Sequence, residues 1–277
     1  MNASTNFSDL TLARRLERAE GYACTQFAAA RARMDPKSGS AWTEYAGTLL
    51  AFDGVEAPTT QSFGLGLFAD LTPAILDETE AFFFSRGAAA VHEVCPLAGA
   101  AALQLLCSRG YSPIEVSNVL DRAVTEPEAR IPGHIQVRVI EQDEAALWSS
   151  VNARGWAHEH PELEEFIRGM GTLCVARGHS PCFLAEIDGE PAAAGALVLH
   201  EGVALFGGAA TVPERRRRGL QAALLEARLR YAHQHGCDLA MMVAEAGSPS
   251  QRNAERQGFR VAYTRIKWRR EAEASTQ

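Results

Sequence analysis

The chain is organised around the stretch Thr211-Val-Pro-Glu-Arg-Arg-Arg-Arg-Gly-Leu-Gln-Ala-Ala-Leu-Leu225. The apolar run before it, residues 203–206, predicts a β-strand, and the residues after it have the periodicity of an amphipathic helix. The predicted apolar face holds Leu220, Ala223, Leu224, Ala227 and Tyr231, and the predicted polar face holds Gln221, Glu226, Arg230 and His233. The sequence therefore predicts a strand that turns sharply into a helix at Arg216-Arg217-Arg218-Gly219.

This turn has the features of an anion-binding site. The first N–H groups of a helix lack partners within the helix, and the helix dipole places partial positive charge there. Gly219 has no Cβ, so a diphosphate can approach the backbone closely while the arginines add cationic charge. The alternative is that four consecutive arginines form a solvated face or a nonspecific patch for polyanions.

The segment Val212-Pro-Glu-Arg-Arg-Arg-Arg-Gly-Leu resembles the acyl-CoA-binding motif of the GNAT superfamily of N-acyltransferases, Arg/Gln-x-x-Gly-x-Gly/Ala. Here the motif reads Arg216-Arg217-Arg218-Gly219-Leu220-Gln221, with Gln at the sixth position. The resemblance covers residues 135–268 well and the first half in outline. It implies an α/β fold with a mixed, mostly antiparallel sheet flanked by helices. Its central strands four and five, here 204–212 and 238–245, would splay apart.

The resemblance also implies acetyl-CoA as the co-substrate and no metal. The pantetheine arm would pair with the backbone of strand four, and the diphosphate would lie on the helix start. Asn253 lies in the segment Ser248 to Asn253, which resembles the fourth motif of the family. The alternative is that Asn253 is an ordinary helix residue that hydrogen-bonds to its neighbours. The cofactor residues implied are Ala210, Thr211, Val212, Arg216, Arg217, Arg218, Gly219, Leu220, Gln221, Ala222 and Asn253.

Two groups that members of the family often use for proton transfer are missing. Where the family often has a Glu on strand four, this chain has Gly207-Gly208-Ala209. Where the family often has a Tyr four residues before a Gly-Phe pair, this chain has Ala254, before Gly258-Phe259. Glu245 is a candidate base or amine anchor, as are His158 and His160, and Tyr263 is a candidate acid if its side chain points into the cleft. A solvated or structural role is the alternative for each. Because aligning two reactants alone lowers the barrier by about 7–11 kcal/mol in favourable intramolecular cases, a strong base is not obligatory.

Composition narrows the class of protein. The 277 residues carry a net charge of −7 and are 47% hydrophobic, which favours folded domains and argues against a general nucleic-acid binder. The six cysteines have no metal-ligand spacing, and neither a signal peptide nor a membrane-spanning run is evident. We expect a cytoplasmic protein, monomer or homodimer, that acts on a small-molecule or peptide amine without nucleic-acid or membrane partners.

The sequence also indicates a duplication. Arg109-Gly110-Tyr111 parallels Gln257-Gly258-Phe259 at an offset of 148 residues, and the same offset superposes segment 91–95 on 239–243. The predicted domains are a degenerate GNAT-like domain at 1–124, a linker at 125–134, a catalytic GNAT domain at 135–270 and a disordered tail at 271–277. The first half has Phe68-Ala-Asp-Leu-Thr-Pro73 where the second has its arginine turn, so we expect no anion site there. Chance recurrence of a common α/β turn is the alternative.

Element limits follow from periodicity and from turn residues. The predicted helices are 10–34, 72–86, 99–109, 143–152, 161–170, the helix that begins near Gly219, and 249–257. The predicted strands are 48–52, 62–68, 91–95, one ending near 120, 135–140, 182–187, 192–199, the strand that begins at 203, 238–243, and a last one to about 268.

The function predicted is transfer of an acetyl group from acetyl-CoA to a primary amine, with the cofactor in the second half. A noncatalytic CoA-binding or sensing module is one alternative, because the usual base and acid are missing. Use of a longer acyl-CoA on the same fold is another.

Overall fold

A computed structural model describes residues 7–126, 130–157, 161–178 and 180–272. The chain divides into two compact units: unit 1 combines residues 1–120 with 243–277, and unit 2 comprises residues 121–242. The predicted domains, 1–124 and 135–270, follow the repeat in the sequence, and their limits differ from those of the two compact units. They stay a prediction. Parts of the predicted linker and most of the predicted disordered tail lie outside the described residues.

The regular elements are α1 Leu10–Met34, β1 Ala41–Tyr45, β2 Thr48–Phe52, β3 Gln61–Phe63, α2 Pro73–Phe84, β4 Ala90–Val94, α3 Ala100–Ser108, β5 Ser112–Ala123, β6 Ile135–Val139, α4 Ala145–Trp156, α5 Glu164–Ala176, β7 Cys182–Ile187, β8 Glu190–His200, β9 Val203–Thr211, α6 Leu220–Gln234, β10 Leu239–Glu245, α7 Pro249–Arg256 and β11 Arg260–Arg270. None of the helices in the described ranges combines the length and the apolar character needed to cross a membrane.

Unit 1 is built on a mixed sheet with the strand order β1-β2-β3-β4-β11-β5. Strands β1 and β2, β2 and β3, and β4 and β11 pair antiparallel, whereas β3 and β4 run parallel. Helix α2 makes the crossover that parallel neighbours require. Its Leu76 and Phe83 pack into one buried cluster with Leu50 of β2 and Val94 of β4, which fixes α2 against the sheet.

Unit 2 has the strand order β6-β7-β8-β9-β10. The first three neighbouring pairs are antiparallel, and β9 and β10 run parallel with α6 between them in the chain. A Cβ on Gly195 would lie 3.2 Å from Arg228 Cζ of α6, whereas a Cβ on Gly208 would lie near both Trp148 of α4 and the Cβ of Ala196. Because neighbouring residues of a strand face opposite ways, α4 and α6 cover opposite faces of the sheet.

The arrangement of strand, helix and parallel strand therefore occurs twice, as β3-α2-β4 and as β9-α6-β10. The turn that follows the next helix is also repeated, with the same two backbone hydrogen bonds 148 residues apart. These bonds run from Gly110 to Cys107 and from Tyr111 to Leu106, and from Gly258 to Glu255 and from Phe259 to Ala254. The predicted mixed α/β fold with two similar halves is confirmed.

The sequence predictions depart from the structure at several element limits and at one strand that they do not include. The strand predicted at 62–68 ends at Phe63, because Gly64 and Gly66 have φ of +85° and +75° and the Leu67 N–H closes a turn onto the Gly64 carbonyl. Strand β1 was not predicted, since it is largely exposed along its length and lacks an alternating apolar pattern. The helix predicted at 161–170 is α5, which starts later and runs on to Ala176.

A buried polar chain crosses the core of unit 1. His92 Nδ1 lies 2.6 Å from Ser62 Oγ, and His92 Nε2 lies 2.9 Å from the Tyr111 hydroxyl. Tyr111 donates its hydrogen to Glu80 Oε1, so His92 donates from Nε2 and accepts from Ser62 as a neutral imidazole. Burial lowers the pKa of His92 from 6.5 to about 4.

The stability of unit 1 should therefore depend on pH through His92. As the pH falls from 6.5 towards 4, the unfolded chain takes up a proton that the folded imidazole refuses, so the contribution is complete above pH 6.5 and lost below it. The stability advantage of the wild type over His92→Gln should shrink by roughly 2–3 kcal/mol between pH 7.5 and pH 4.5. Urea unfolding at both pH values measures this, and His92→Leu should give the same pH dependence. An advantage that does not change with pH would contradict the neutral buried imidazole.

Candidate active site

The candidate site of unit 2 begins at the open edge of β9. The β9–β10 ladder has three pairs, Val203 with Leu239, Ala204 with Ala240 and Leu205 with Met241. Strand β9 nevertheless continues to Thr211, so among the described strands its second half is paired on the β8 side alone. The predicted splaying of the central strands is confirmed, and it leaves backbone groups of β9 available to an extended ligand.

Strand β9 also carries a β-bulge opposite β8. Ala196 pairs with Gly207 and Ala194 with Ala210, so Gly208 and Ala209 together oppose the single residue Gly195. Gly208 has φ of +58°, which matches the glycine that opens a bulge of the G1 class. The bulge turns exposed backbone towards solvent in the middle of the strand.

The arginine turn follows directly. After Thr211 the chain makes one 3-10 turn, Pro213–Arg215, and then passes through Arg217 at φ +63° and Gly219 at φ +85° before α6 begins. Positive φ at a non-glycine residue is uncommon and costs energy. Alternation of left-handed and ordinary backbone aims successive N–H groups into one concavity, which is a known form of anion site.

Within the described ranges, the N–H groups that follow Arg216 in this turn have no acceptor in the protein. Among the described residues, none of those from Arg217 to Ala222 donates to a backbone carbonyl, and Gly219 provides no side-chain cap. The first N–H bonded back into the turn is that of Ala223, which donates to the Gly219 carbonyl. A ligand with several anionic oxygens could satisfy these donors where α6 begins.

The four consecutive arginines have different surroundings. Arg216 turns back into the unit, where Nη2 donates to the Gly155 carbonyl at 3.1 Å and Nε to the Thr211 carbonyl at 3.4 Å. Arg215 and Arg218 both lie near Asp188, at 3.9 and 3.6 Å. Arg217 has neither a hydrogen-bond nor an ion-pair partner within the described part of the chain, and its side chain is exposed.

Gln221, which departs from the family motif, has a structural partner. Its Nε2 donates to the Thr211 hydroxyl at 2.7 Å, so it ties the start of α6 to the end of β9. The predicted residues Ala210, Thr211 and Val212 lie along β9 and just beyond it. The Val212 N–H donates to the Ala192 carbonyl of β8. Unit 2 thus brings together the ten cofactor residues predicted at 210–212 and 216–222.

The remaining predicted residues lie in unit 1 or outside the described residues. Glu245 ends β10 and Asn253 lies on α7; both side chains are exposed, and neither has a hydrogen-bond or ion-pair partner among the residues described. Tyr263 is 7% exposed and donates to Glu17 Oε1 at 2.8 Å. Burial raises the pKa of Tyr263 well above its usual value, which is typical of a structural hydroxyl. His158 and His160 are outside the described residues.

Two side chains at the bulge were missed by the sequence analysis. Asn152 of α4 donates to the Gly208 carbonyl at 2.5 Å, and Arg228 of α6 donates to the carbonyls of Ala196 and Gly207 at 3.1 and 3.5 Å. The buried face of α6 includes Arg228 and excludes the predicted Ala227 and Tyr231, which are only partly buried. It consists of Leu220, Ala223, Leu224, Leu225, Arg228, Leu229 and Ala232. The sequence contained one signal for this. Arg228 lies four residues from both Leu224 and Ala232, which places it on the same face of the helix as these two apolar residues.

Comparison with known proteins agrees with this geometry. Residues 139–259 match the sequence profile described as "Acetyltransferase (GNAT) family". No curated protein gives a significant match to the chain. Residues 139–259 are therefore similar in sequence to a GNAT acetyltransferase domain.

Solved structures extend the fold assignment to the whole chain. It is similar to a GCN5-related N-acetyltransferase from Kribbella flavida, with a TM-score of 0.67 and 16% identity over 96% of this chain and 97% of that one. A tandem GNAT protein from the clavulanic acid biosynthesis pathway gives 0.61 and 15% over 99% and 98%. A GNAT-family acetyltransferase from Colwellia psychrerythraea gives 0.52 and 12% over 86% and 87%. The chain thus has a tandem GNAT fold.

The different surroundings of Arg216 and Arg217 lead to a stability prediction. Arg216→Gln removes two charge-assisted hydrogen bonds and should lower the free energy of unfolding by roughly 1 kcal/mol. Arg217→Gln removes no contact and should change it by less than about 0.5 kcal/mol. Urea unfolding of the two variants side by side measures the difference, and equal losses would refute the assigned orientations.

Proposed function

We propose that unit 2 binds acetyl-CoA and that the protein transfers its acetyl group to a primary amine. The observation that carries this proposal is the row of N–H groups from Arg217 to Ala222, at the start of α6, that have no acceptor among the described residues. This row follows strand β9, whose second half has no described strand on one side. These two features fit the two parts of a CoA molecule, its diphosphate and its extended pantetheine arm.

The surroundings of Gly219 and Arg217 support this assignment. A Cβ at Gly219 would have only Ile135 Cδ1 nearby, at 3.6 Å, so the backbone there is open to close approach. Arg217 provides a cation without a competing partner among the described residues. Along β9, the backbone of Ala210 to Val212 would pair with the arm, and Asn253 stays a predicted contact.

The chemistry proposed is direct transfer. The acetyl thioester supplies an activated carbonyl; the amine nitrogen forms the new C–N bond, the C–S bond breaks, and CoA leaves as the thiol after protonation. The protein aligns the reactants, accepts a proton from the amine and polarises the carbonyl through backbone N–H groups of β9. Glu245 is retained as the proposed base. Tyr263 is not retained as the acid, because its hydroxyl is engaged with Glu17 inside unit 1.

The first half of the chain supports assigning the cofactor to the second. Helix α2, the counterpart of α6, begins with Pro73, which has no N–H, and the Thr72 hydroxyl accepts from the Ile75 N–H. This capped helix start offers an anion fewer free donors, and no arginine run precedes it. We propose that the first half keeps the fold without a cofactor site.

Two other readings remain as alternatives. A noncatalytic CoA-binding or sensing module would use the same turn without transfer, and a longer acyl group could replace acetyl. A cytoplasmic location, a monomeric or homodimeric state and the absence of a metal stay predictions from the sequence.

The placement of the diphosphate is tested at Gly219. Asp and Asn have nearly the same shape and both tolerate positive φ, so Gly219→Asp and Gly219→Asn differ mainly in charge. The Asp variant should bind acetyl-CoA at least tenfold more weakly than the Asn variant, about 1.4 kcal/mol, as measured by calorimetric titration. The same pair at Gly236, which has φ of +75° at the other end of α6 with open space around it, is the control. Equal affinity of the two Gly219 variants would place the diphosphate elsewhere.

The reaction is tested by release of free thiol from acetyl-CoA with a panel of amines. We expect amine-dependent release and thermal stabilisation by acetyl-CoA, about 2.7 kcal/mol at a ligand concentration of 100 Kd. Glu245→Gln in the same assay tests the proposed base. Stabilisation without turnover would favour the sensing module, and stronger stabilisation by longer acyl-CoAs would favour the second alternative.

A further inference from the structure

The bulge of β9 is held from both faces of its sheet. Helix α4 reaches the Gly208 carbonyl through Asn152, and helix α6 reaches the Gly207 carbonyl through Arg228. Gly207 and Gly208 are themselves exposed. Two buried side chains thus hold the one segment of β9 that combines irregular backbone with access to solvent.

Arg228 is an unusual residue for this position. It is 2% exposed, its guanidinium lies against the backbone of Gly195 and over the Phe206 ring, and its acceptors are main-chain carbonyls. No carboxylate pairs with it among the described residues, and burial lowers its pKa to about 10. A buried cation without a counter-ion opposes folding, so packing and stability alone do not explain why an arginine occupies this site.

Asn152 completes the arrangement on the other face. It is 5% exposed and its Nδ2 lies 2.5 Å from the Gly208 oxygen. In a planar trans peptide the carbonyl of one residue and the N–H of the next point in opposite directions. Fixing the Gly207 and Gly208 carbonyls therefore also fixes the directions of the Gly208 and Ala209 N–H groups.

We infer that Asn152 and Arg228 are positioning residues for acyl transfer. By holding the two bulge carbonyls from opposite faces of the sheet, they direct the Gly208 and Ala209 N–H groups so that one of them polarises the thioester carbonyl. This inference rests on the proposed function. The two side chains, which are distant in sequence, would preorganise a backbone donor so that it stabilises developing negative charge.

The variants that test it remove the donors and keep the volume. Arg228→Met and Asn152→Leu should lower kcat by ~10–100-fold, less than the ~10²–10³-fold lost when an oxyanion-hole donor is removed, because the N–H groups are misdirected and not absent. The Kd for acetyl-CoA should change less than about twofold. Arg228→Met should melt at the same or a higher temperature, because an unpaired buried charge is lost. Arg228→Lys keeps a donor and should recover part of kcat. A residue that served only the fold would lower stability and leave kcat per folded molecule unchanged.

Arg177→Met is the matched control. It removes another buried guanidinium of unit 2, one that donates to the Cys174 carbonyl and sulfur, and should leave kcat unchanged. If the wild type turns over and Arg228→Met and Asn152→Leu keep wild-type kcat, the positioning role is wrong while the proposed function stands.

An NMR measurement tests the inference without turnover. The amide signals of Gly208 and Ala209 should shift further with acetyl-CoA than with CoA, which lacks the carbonyl, and Arg228→Met should abolish this difference. If the wild type shows the difference but no turnover with any amine, the positioning role is supported and catalysis is wrong. If acetyl-CoA does not bind at all, both the proposed function and this inference are overturned.

Discussion

The architecture of unit 2 depends on one constraint, the need of an extended strand to satisfy its backbone hydrogen bonds on two sides. Strand β9 meets it fully only as far as Leu205, where its pairing with β10 ends. Beyond that point β8 continues to pair with β9 on one edge, interrupted by the bulge at Gly208 and Ala209. The other edge has no strand beside it in the part of the chain that the structure describes. The arginine turn and the start of α6 lie at the end of this open edge. A backbone that is incompletely bonded by protein is a surface on which an extended, anionic ligand can bind.

The two halves of the chain have the same topology, but the equivalent helices α2 and α6 begin differently. Helix α2 has Pro73 and the Thr72 cap, whereas α6 begins behind an uncapped Gly219. Unit 1 instead concentrates charge in its core, where Arg265, 1% exposed, bonds to Glu17 and Glu20. Removing such a cation leaves buried carboxylates unpaired, which typically costs 3–5 kcal/mol. Tyr263 belongs to this network through Glu17, so its hydroxyl has a structural partner.

Much of the secondary structure and part of the site could be predicted because both rest on local signals. Helix α1 and strands β2 and β7 have the predicted limits, since periodicity and turn residues define them along the chain. The arginine turn was recognisable because its glycine, its arginines and the helix behind it are consecutive. The strand predicted at 62–68 was too long because an apolar composition does not report the positive φ of Gly64 and Gly66. Strand β1 was missed because the buried partner that defines it, β2, lies on one side only.

The sequence by itself determined the class of fold, the duplication at an offset of 148 residues and the position of the arginine turn before a helix, because these depend on neighbouring residues and on spacing. Only the tertiary structure decided what each arginine contacts, that the N–H groups of the turn lack acceptors among the described residues, and that Asn152 and Arg228 meet the β9 bulge. Asn152 and Gly208 are 56 residues apart, and a hydrogen bond over such a separation exists only after β8, β9, α4 and α6 have packed. Local pattern cannot encode it, since the bulge carbonyls that attract these side chains are themselves a product of strand pairing.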